Sequence, residues 1–153
     1  MPPTASRDVF TAAIEMESIG RDFYTALAQA GNNAKIRGFC ATAAAQEAQH
    51  LATFQRLRSQ WLTGARSSSH PVPHPAALTA LAKRHIQPDP QTVRNVALSS
   101  NVTDALNMAI QMECDAVEFY QELMAQMPAA VPEIQQIIAE ELSHLSSLRA
   151  MVA

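Results

Sequence analysis

The segment AIEMESIGRDFY, Ala13 to Tyr24, returns as AIQMECDAVEFY, Ala109 to Tyr120, and a Glu-x-x-His follows each copy. The two tetrapeptides are Glu47-Ala48-Gln49-His50 and Glu141-Leu142-Ser143-His144. Composition alone leads one to expect about 0.3 such tetrapeptides in this chain. Two copies at matching places in an internal repeat are far beyond that. Each half of the chain thus carries a lone Glu (Glu17, Glu113), then about thirty residues later a Glu and a His one helical turn apart. Four carboxylates and two imidazoles in this order form the ligand set of a carboxylate-bridged di-metal site inside a four-helix bundle.

The punctuation of the chain fits four long helices. Helix 1 is expected from about Arg7 to Ala30, with Ser6 as N-cap and Gly31-Asn32-Asn33 as its close. Helix 2 is expected over about Ala34 to Thr63 and helix 3 from Val102 or Thr103 to just before Pro128. Helix 4 should start at Pro132, a favoured first-turn residue, and run to the C-terminus. Short helical turns are expected around Ala76–Arg84 and Thr92–Ser99. Helices 1 and 2 are joined tightly, as are helices 3 and 4, which makes two antiparallel hairpins. The crossover between them, residues 64–101, contains a Ser- and Pro-rich stretch from Ser67 to Pro75 and five of the chain's nine prolines. The expectation is one all-α domain over residues 1–153, with the single long crossover of ferritin-like bundles.

Each Glu and His lies inside an apolar stripe with steps of three and four. Helix 1 reads Phe10, Ala13/Ile14, Glu17, Gly20, Tyr24, Leu27, and helix 2 reads Ile36, Cys40, Ala43, Glu47, His50, Phe54, Leu57, Trp61. Helix 3 reads Leu106, Ile110, Glu113, Val117, Tyr120, Met124, Met127, and helix 4 reads Ile134, Ile138, Glu141, His144/Leu145, Leu148. Burying an unpaired carboxylate costs several kcal/mol or more, and four together repel one another. No Lys or Arg stands on these stripes to compensate. Two divalent cations would balance the four carboxylates, with neutral His50 and His144 filling coordination positions. The alternative is that several Glu are protonated or the layer is wet. Oxygen-rich ligation with one imidazole per ion suits iron or manganese better than a structural zinc. Without metal, this layer is expected to be the weakest part of the fold.

The remaining candidates carry plainer readings. Tyr24 and Tyr120 stand two turns after Glu17 and Glu113, where their hydroxyls could support ligand carboxylates, although core packing also explains them. They are the candidate catalytic residues beside the metal ligands. Cys40 and Cys114 form no Cys-x-x-Cys pair and are expected as two buried free thiols, which also excludes an iron centre with four cysteine ligands. His70, His74 and His85 fall in the crossover at irregular spacing and read as surface histidines. Met16 and Met112, beside the lone Glu in both copies, read as core filling.

The formal charge of −3 and the lack of a basic run argue against nucleic acid. No stretch approaches a membrane span, and the N-terminal MPPTASRDVF lacks an apolar signal-peptide core, so a cytoplasmic location is expected.

On Glu17 with Phe23-Tyr24, Glu47-x-x-His50, Glu113 with Phe119-Tyr120, and Glu141-x-x-His144, the chain resembles the rubrerythrin-like branch of the ferritin-like superfamily. The resemblance covers the four main helices. It implies a non-haem di-iron centre, two iron ions per site, that reacts with hydrogen peroxide or dioxygen. It further implies that Glu47 and Glu141 bridge the metals while Glu17 and Glu113 are terminal ligands, and that dimers, some with exchanged helices, occur. Two departures stand out. Rubrerythrins carry an extra Glu one turn after the helix-3 ligand, where this chain has Ala116. They also carry a rubredoxin-like tail that has no counterpart here, so electrons are expected from a separate donor protein.

Three functions compete at this stage: a peroxidase or oxidase, an iron-handling protein with ferroxidase activity, and a bundle whose metals only hold helices together. A homodimer is expected, because each hairpin carries half the ligands and one apolar face.

Overall fold

A computed structural model describes residues 4–30, 33–62, 80–82, 89–99 and 101–153. Its elements are α1 (Thr4–Ala30), α2 (Ala34–Leu62), α3 (Pro90–Leu98), α4 (Val102–Gln126) and α5 (Val131–Val152), with a 3-10 turn at Pro128–Ala130 leading into α5. Residues 80–82 are helical as well, and no strand occurs among the described residues. The protein is an all-α bundle. None of the helices is long and apolar enough to cross a membrane among those residues.

Short polar side chains set the helix starts. Asn33 Oδ1 accepts from the backbone N–H of Lys35 and Ile36 at 2.9 and 3.3 Å, satisfying donors that an isolated helix would leave unpaired. Asn33 therefore opens α2, where the sequence suggested that it closes the preceding helix. Asp89 caps α3 through Thr92 N–H, ahead of Pro90 in its first turn, and Asn101 caps α4 through Asp104 N–H. One expectation fails: α1 already runs from Thr4, so the helix starts ahead of Ser6. No residue between Thr4 and Arg7 opposes helix strongly enough to force a later start. α5 begins one residue before Pro132, which sits in its first turn as expected.

α1 packs along α2 and α4 along α5, while α3 lies against α1 and the start of α4. The apolar interior is divided in two. One cluster contains Phe10, Phe54, Phe119, Tyr120, Leu123 and Ile134, and the other contains Phe23, Tyr24, Leu27, Cys40, Leu106 and Leu148. Each fully buried Leu, Ile or Phe contributes about 1.5–3 kcal/mol, so the two clusters can carry a polar layer that costs stability. Leu81 reaches the first cluster, which fixes part of the crossover against the bundle. Cys40 is buried and its thiol is pushed up to about 11 by desolvation. Cys114 is only half-buried, contrary to expectation, and Arg149 Nη2 approaches its Sγ at 3.9 Å. The crossover histidines His70, His74 and His85, and most of the expected turn at Ala76–Arg84, lie outside the described residues.

Candidate metal centre

Between the apolar clusters lie the six side chains singled out by the repeat. α1 supplies Glu17, α2 Glu47 and His50, α4 Glu113, and α5 Glu141 and His144, none more than 4% exposed. They form two groups: Glu17, Glu47, His50 and Glu141, and Glu47, Glu113, Glu141 and His144. Within each group the ligand atoms all lie within 4.8 Å of one another. Glu47 and Glu141 belong to both. The i, i+3 spacing makes this possible, since it puts Glu and His on one helical face a turn apart.

Both imidazoles turn Nδ1 inward. His50 Nδ1 lies 3.2 Å from Glu141 Oε1, 3.5 Å from Glu17 Oε2 and 3.7 Å from Glu47 Oε2. His144 Nδ1 lies 3.1 Å from Glu141 Oε2, 3.3 Å from Glu113 Oε1 and 3.4 Å from Glu47 Oε1. The two rings are 6.4 Å apart. Glu17 Oε2 and His50 Nδ1 are buried and make no hydrogen bond among the described residues despite these short approaches. Buried polar atoms nearly always find partners, so two that converge without a bond make this a candidate cation site. The donor set, four carboxylates and two imidazoles, fits a pair of divalent ions.

The outward nitrogens are held by residues that sequence reasoning missed. His50 Nε2 contacts Glu140 Oε2 at 2.5 Å, and His144 Nε2 contacts Gln46 Oε1 at 2.6 Å. Both partners are acceptors, so each Nε2 carries the proton, and with a single proton on the ring Nδ1 keeps its lone pair. The signal was present in the repeat: Gln46 and Glu140 each directly precede the Glu of a Glu-x-x-His, and each reaches across to the other copy's His. The tyrosines cross over in the same way. Tyr24 donates to Glu113 Oε1 and Tyr120 to Glu17 Oε1, both at 2.5 Å. The hydrogen bonds from these tyrosines to Glu113 and Glu17 that the sequence suggested are therefore present.

Without metal the layer balances its own charge. Burial, reinforced by Glu47 and Glu141, raises Glu17 well above the carboxylate range, and burial with Glu141 does the same for Glu113. Burial also acts on Glu47 and Glu141, but close polar neighbours outweigh it there: Glu17 and both imidazoles for Glu47, and above all the imidazoles for Glu141. Both are held below the ordinary value. Burial opposes protonation of the imidazoles, yet the surrounding carboxylates overcome it, raising His50 and bringing His144 to about 11. Two acids, two carboxylates and two imidazolium rings sum to zero. Burial and the nearby carboxylates also push the Tyr24 and Tyr120 hydroxyls up, so both remain donors.

No family model matches the chain, and no curated protein or solved structure matches it either.

Proposed function

We propose that this bundle is a ferritin-like, rubrerythrin-type protein whose buried centre binds two metal ions and serves as an oxidoreductase toward hydrogen peroxide or dioxygen. The observation that carries the reading is that two ligand groups share Glu47 and Glu141 while each keeps its own terminal Glu and His. A lone structural ion would need only one such group. Shared carboxylates fit the bridging role that the family resemblance implies for them.

Two iron ions held there would supply a two-electron couple matched to peroxide or dioxygen; manganese, or a mixed pair, fits the same oxygen-rich donors. The protein's part is positional. Tyr24 and Tyr120 each fix one oxygen of a terminal carboxylate, and at Glu17 the other oxygen, Oε2, is the one that faces His50. Glu140 and Gln46 orient the imidazoles. The apolar clusters above and below keep water from the layer, which strengthens each interaction inside it. One chain supplies all six ligands, and the proposed homodimer would join bundles that each hold a centre. The electron donor is proposed to be a separate protein.

Anaerobic Fe(II) loading followed by stopped-flow mixing with peroxide, and separately with dioxygen, tests the reading. Fast oxidation that stops at two irons per chain supports it. Continued oxidation of added Fe(II) far past that point would instead support an iron-handling role, and no reaction with either oxidant would leave a purely structural metal site.

A further inference from the structure

The internal repeat is broken beside the centre. The register that places Glu47-x-x-His50 on Glu141-x-x-His144 places Phe39 on Glu133 and Gln46 on Glu140. On one face, the Phe39 ring stands edge-on to His144 and to Tyr24, with ring centres 6.0 Å from each. An aromatic plug thus covers the outer side of His144. On the other face the corresponding residue is a carboxylate, and a pocket of about 130 Å³ opens between α2 and α5. His50, Thr53 and Arg56 line it from α2, and Glu133, Gln136 and Glu140 from α5. Arg56 and Gln136 are exposed, whereas His50 is only 2% exposed, so the pocket runs from solvent to the back of a candidate ligand. The volume has room for several water molecules.

The lining carries carboxylates. Glu133 and Glu140 face it with Arg56, whose Nη1 lies 3.9 Å from Glu133 Oε1. The Glu133 and Glu140 carboxylates offset Arg56 and the His50 ring, and they offer an entering cation oxygen donors along the way. At the inner end, the Glu140–His50 pair stands between the pocket and the carboxylate cluster, with His50 Nδ1 3.2 Å from Glu141 Oε1.

Resting on the metal-site reading above, we propose that this pocket is the route by which divalent cations reach the centre. The Glu140–His50 pair is its inner wall, and Phe39 closes the repeat-related face. The pseudo-symmetric centre then loads from one side.

Co(II) uptake by the metal-free full chain, followed by its visible absorption in a stopped-flow instrument, tests this. Glu133→Phe copies the plug of the other face, and Thr53→Trp fills the pocket from α2, so closure is tested even if one variant fails to fold. Circular dichroism and the amount of Co(II) bound at saturation verify that fold and centre are intact. The expected result is about ten-fold slower uptake, and equally slower loss to a chelator, at unchanged saturation, as for binding that must wait on a conformational opening. Wild-type rates in the folded, plugged variants would overturn the route while leaving the metal site standing. A wild-type protein that takes up no Co(II) would overturn both.

Discussion

Tyr24 and Glu113 lie 89 positions apart in the chain, yet the Tyr24 hydroxyl donates to Glu113 Oε1 at 2.5 Å inside the core. Tyr120 makes the matching bond to Glu17. Each repeat thus holds the other repeat's lone glutamate, and the two hairpins are tied together at the layer where their apolar faces are interrupted.

Tyr24→Phe keeps the ring beside Phe23 and Phe39 but removes the donor. Leaving Glu113 Oε1 without its buried partner should cost the metal-free protein about 1–3 kcal/mol, read from urea unfolding. Chelator competition should show metal affinity lower by about 10–100-fold, the usual effect of losing a hydrogen bond to a ligand, while both ions still bind at saturation. Unchanged stability and affinity would reduce the phenol to packing.

Sharing of ligands predicts a pattern of stoichiometries. Glu47→Gln or Glu141→Gln should weaken binding at both positions, because each residue belongs to both groups. His50→Ala or Glu17→Gln should weaken one position, and His144→Ala or Glu113→Gln the other. Elemental analysis at limiting metal measures this. Equal losses in all six variants would refute two positions bridged by shared carboxylates.

The legible part of this structure is the part written as a period. Glu17, Glu47, His50, Glu113, Glu141 and His144 interrupt apolar stripes, and all six are buried in one layer. Tyr24 and Tyr120 were legible because they recur at the same distance from each lone Glu. Glu140 was not, since a carboxylate beside Glu141 on a helix reads as a solvated charge; only its reach across to His50 gives it a role. Gln46 was hidden likewise, since an amide beside Glu47 reads as a solvated polar position. The pairing of Phe39 with Glu133 is a difference between the repeats, and a search for likeness passes over it. The start of α1 was misread because a Ser near a helix end caps only where the chain actually leaves the helix, which local sequence does not fix.

Stability should depend on pH with opposite slopes in the two forms. In the metal-free protein Glu17 and Glu113 titrate above the usual carboxylate range, and His144 is raised to about 11 with His50 raised beside it. Above about pH 5 the folded state therefore holds protons that the unfolded chain has released, from the two Glu first and then, above about 6.5, from the two His. Stability from these groups is present at the acid end and is lost as pH rises. Binding two divalent ions must displace up to four protons, one each from Glu17, Glu113, His50 and His144, so affinity rises with pH. Melting temperatures between about pH 5 and pH 8 should fall for the metal-free form relative to the same protein saturated with Mn(II). Taking the difference cancels the surface groups. A gap between the two forms that stays constant with pH would contradict the assigned protonation.

Gly20 stands one turn after Glu17, where its repeat partner one turn after Glu113 is Ala116. A Cβ at Gly20 would meet Glu47 Cδ at 3.5 Å and Oε2 at 3.6 Å, which is ordinary contact and not a clash. Gly20→Ala should therefore fit, as Ala does in the other repeat, and should remove the penalty of a glycine inside a helix. The expected gain is about 0.5–1 kcal/mol in the metal-free protein, measured by urea unfolding, with both ions still bound at saturation. Gly20→Leu would press past that contact and push the Glu47 carboxylate from its place between the two groups, so metal content should drop at both positions. If Gly20→Ala alone abolishes binding, Glu47 needs the open space beside Gly20 to move when metal binds.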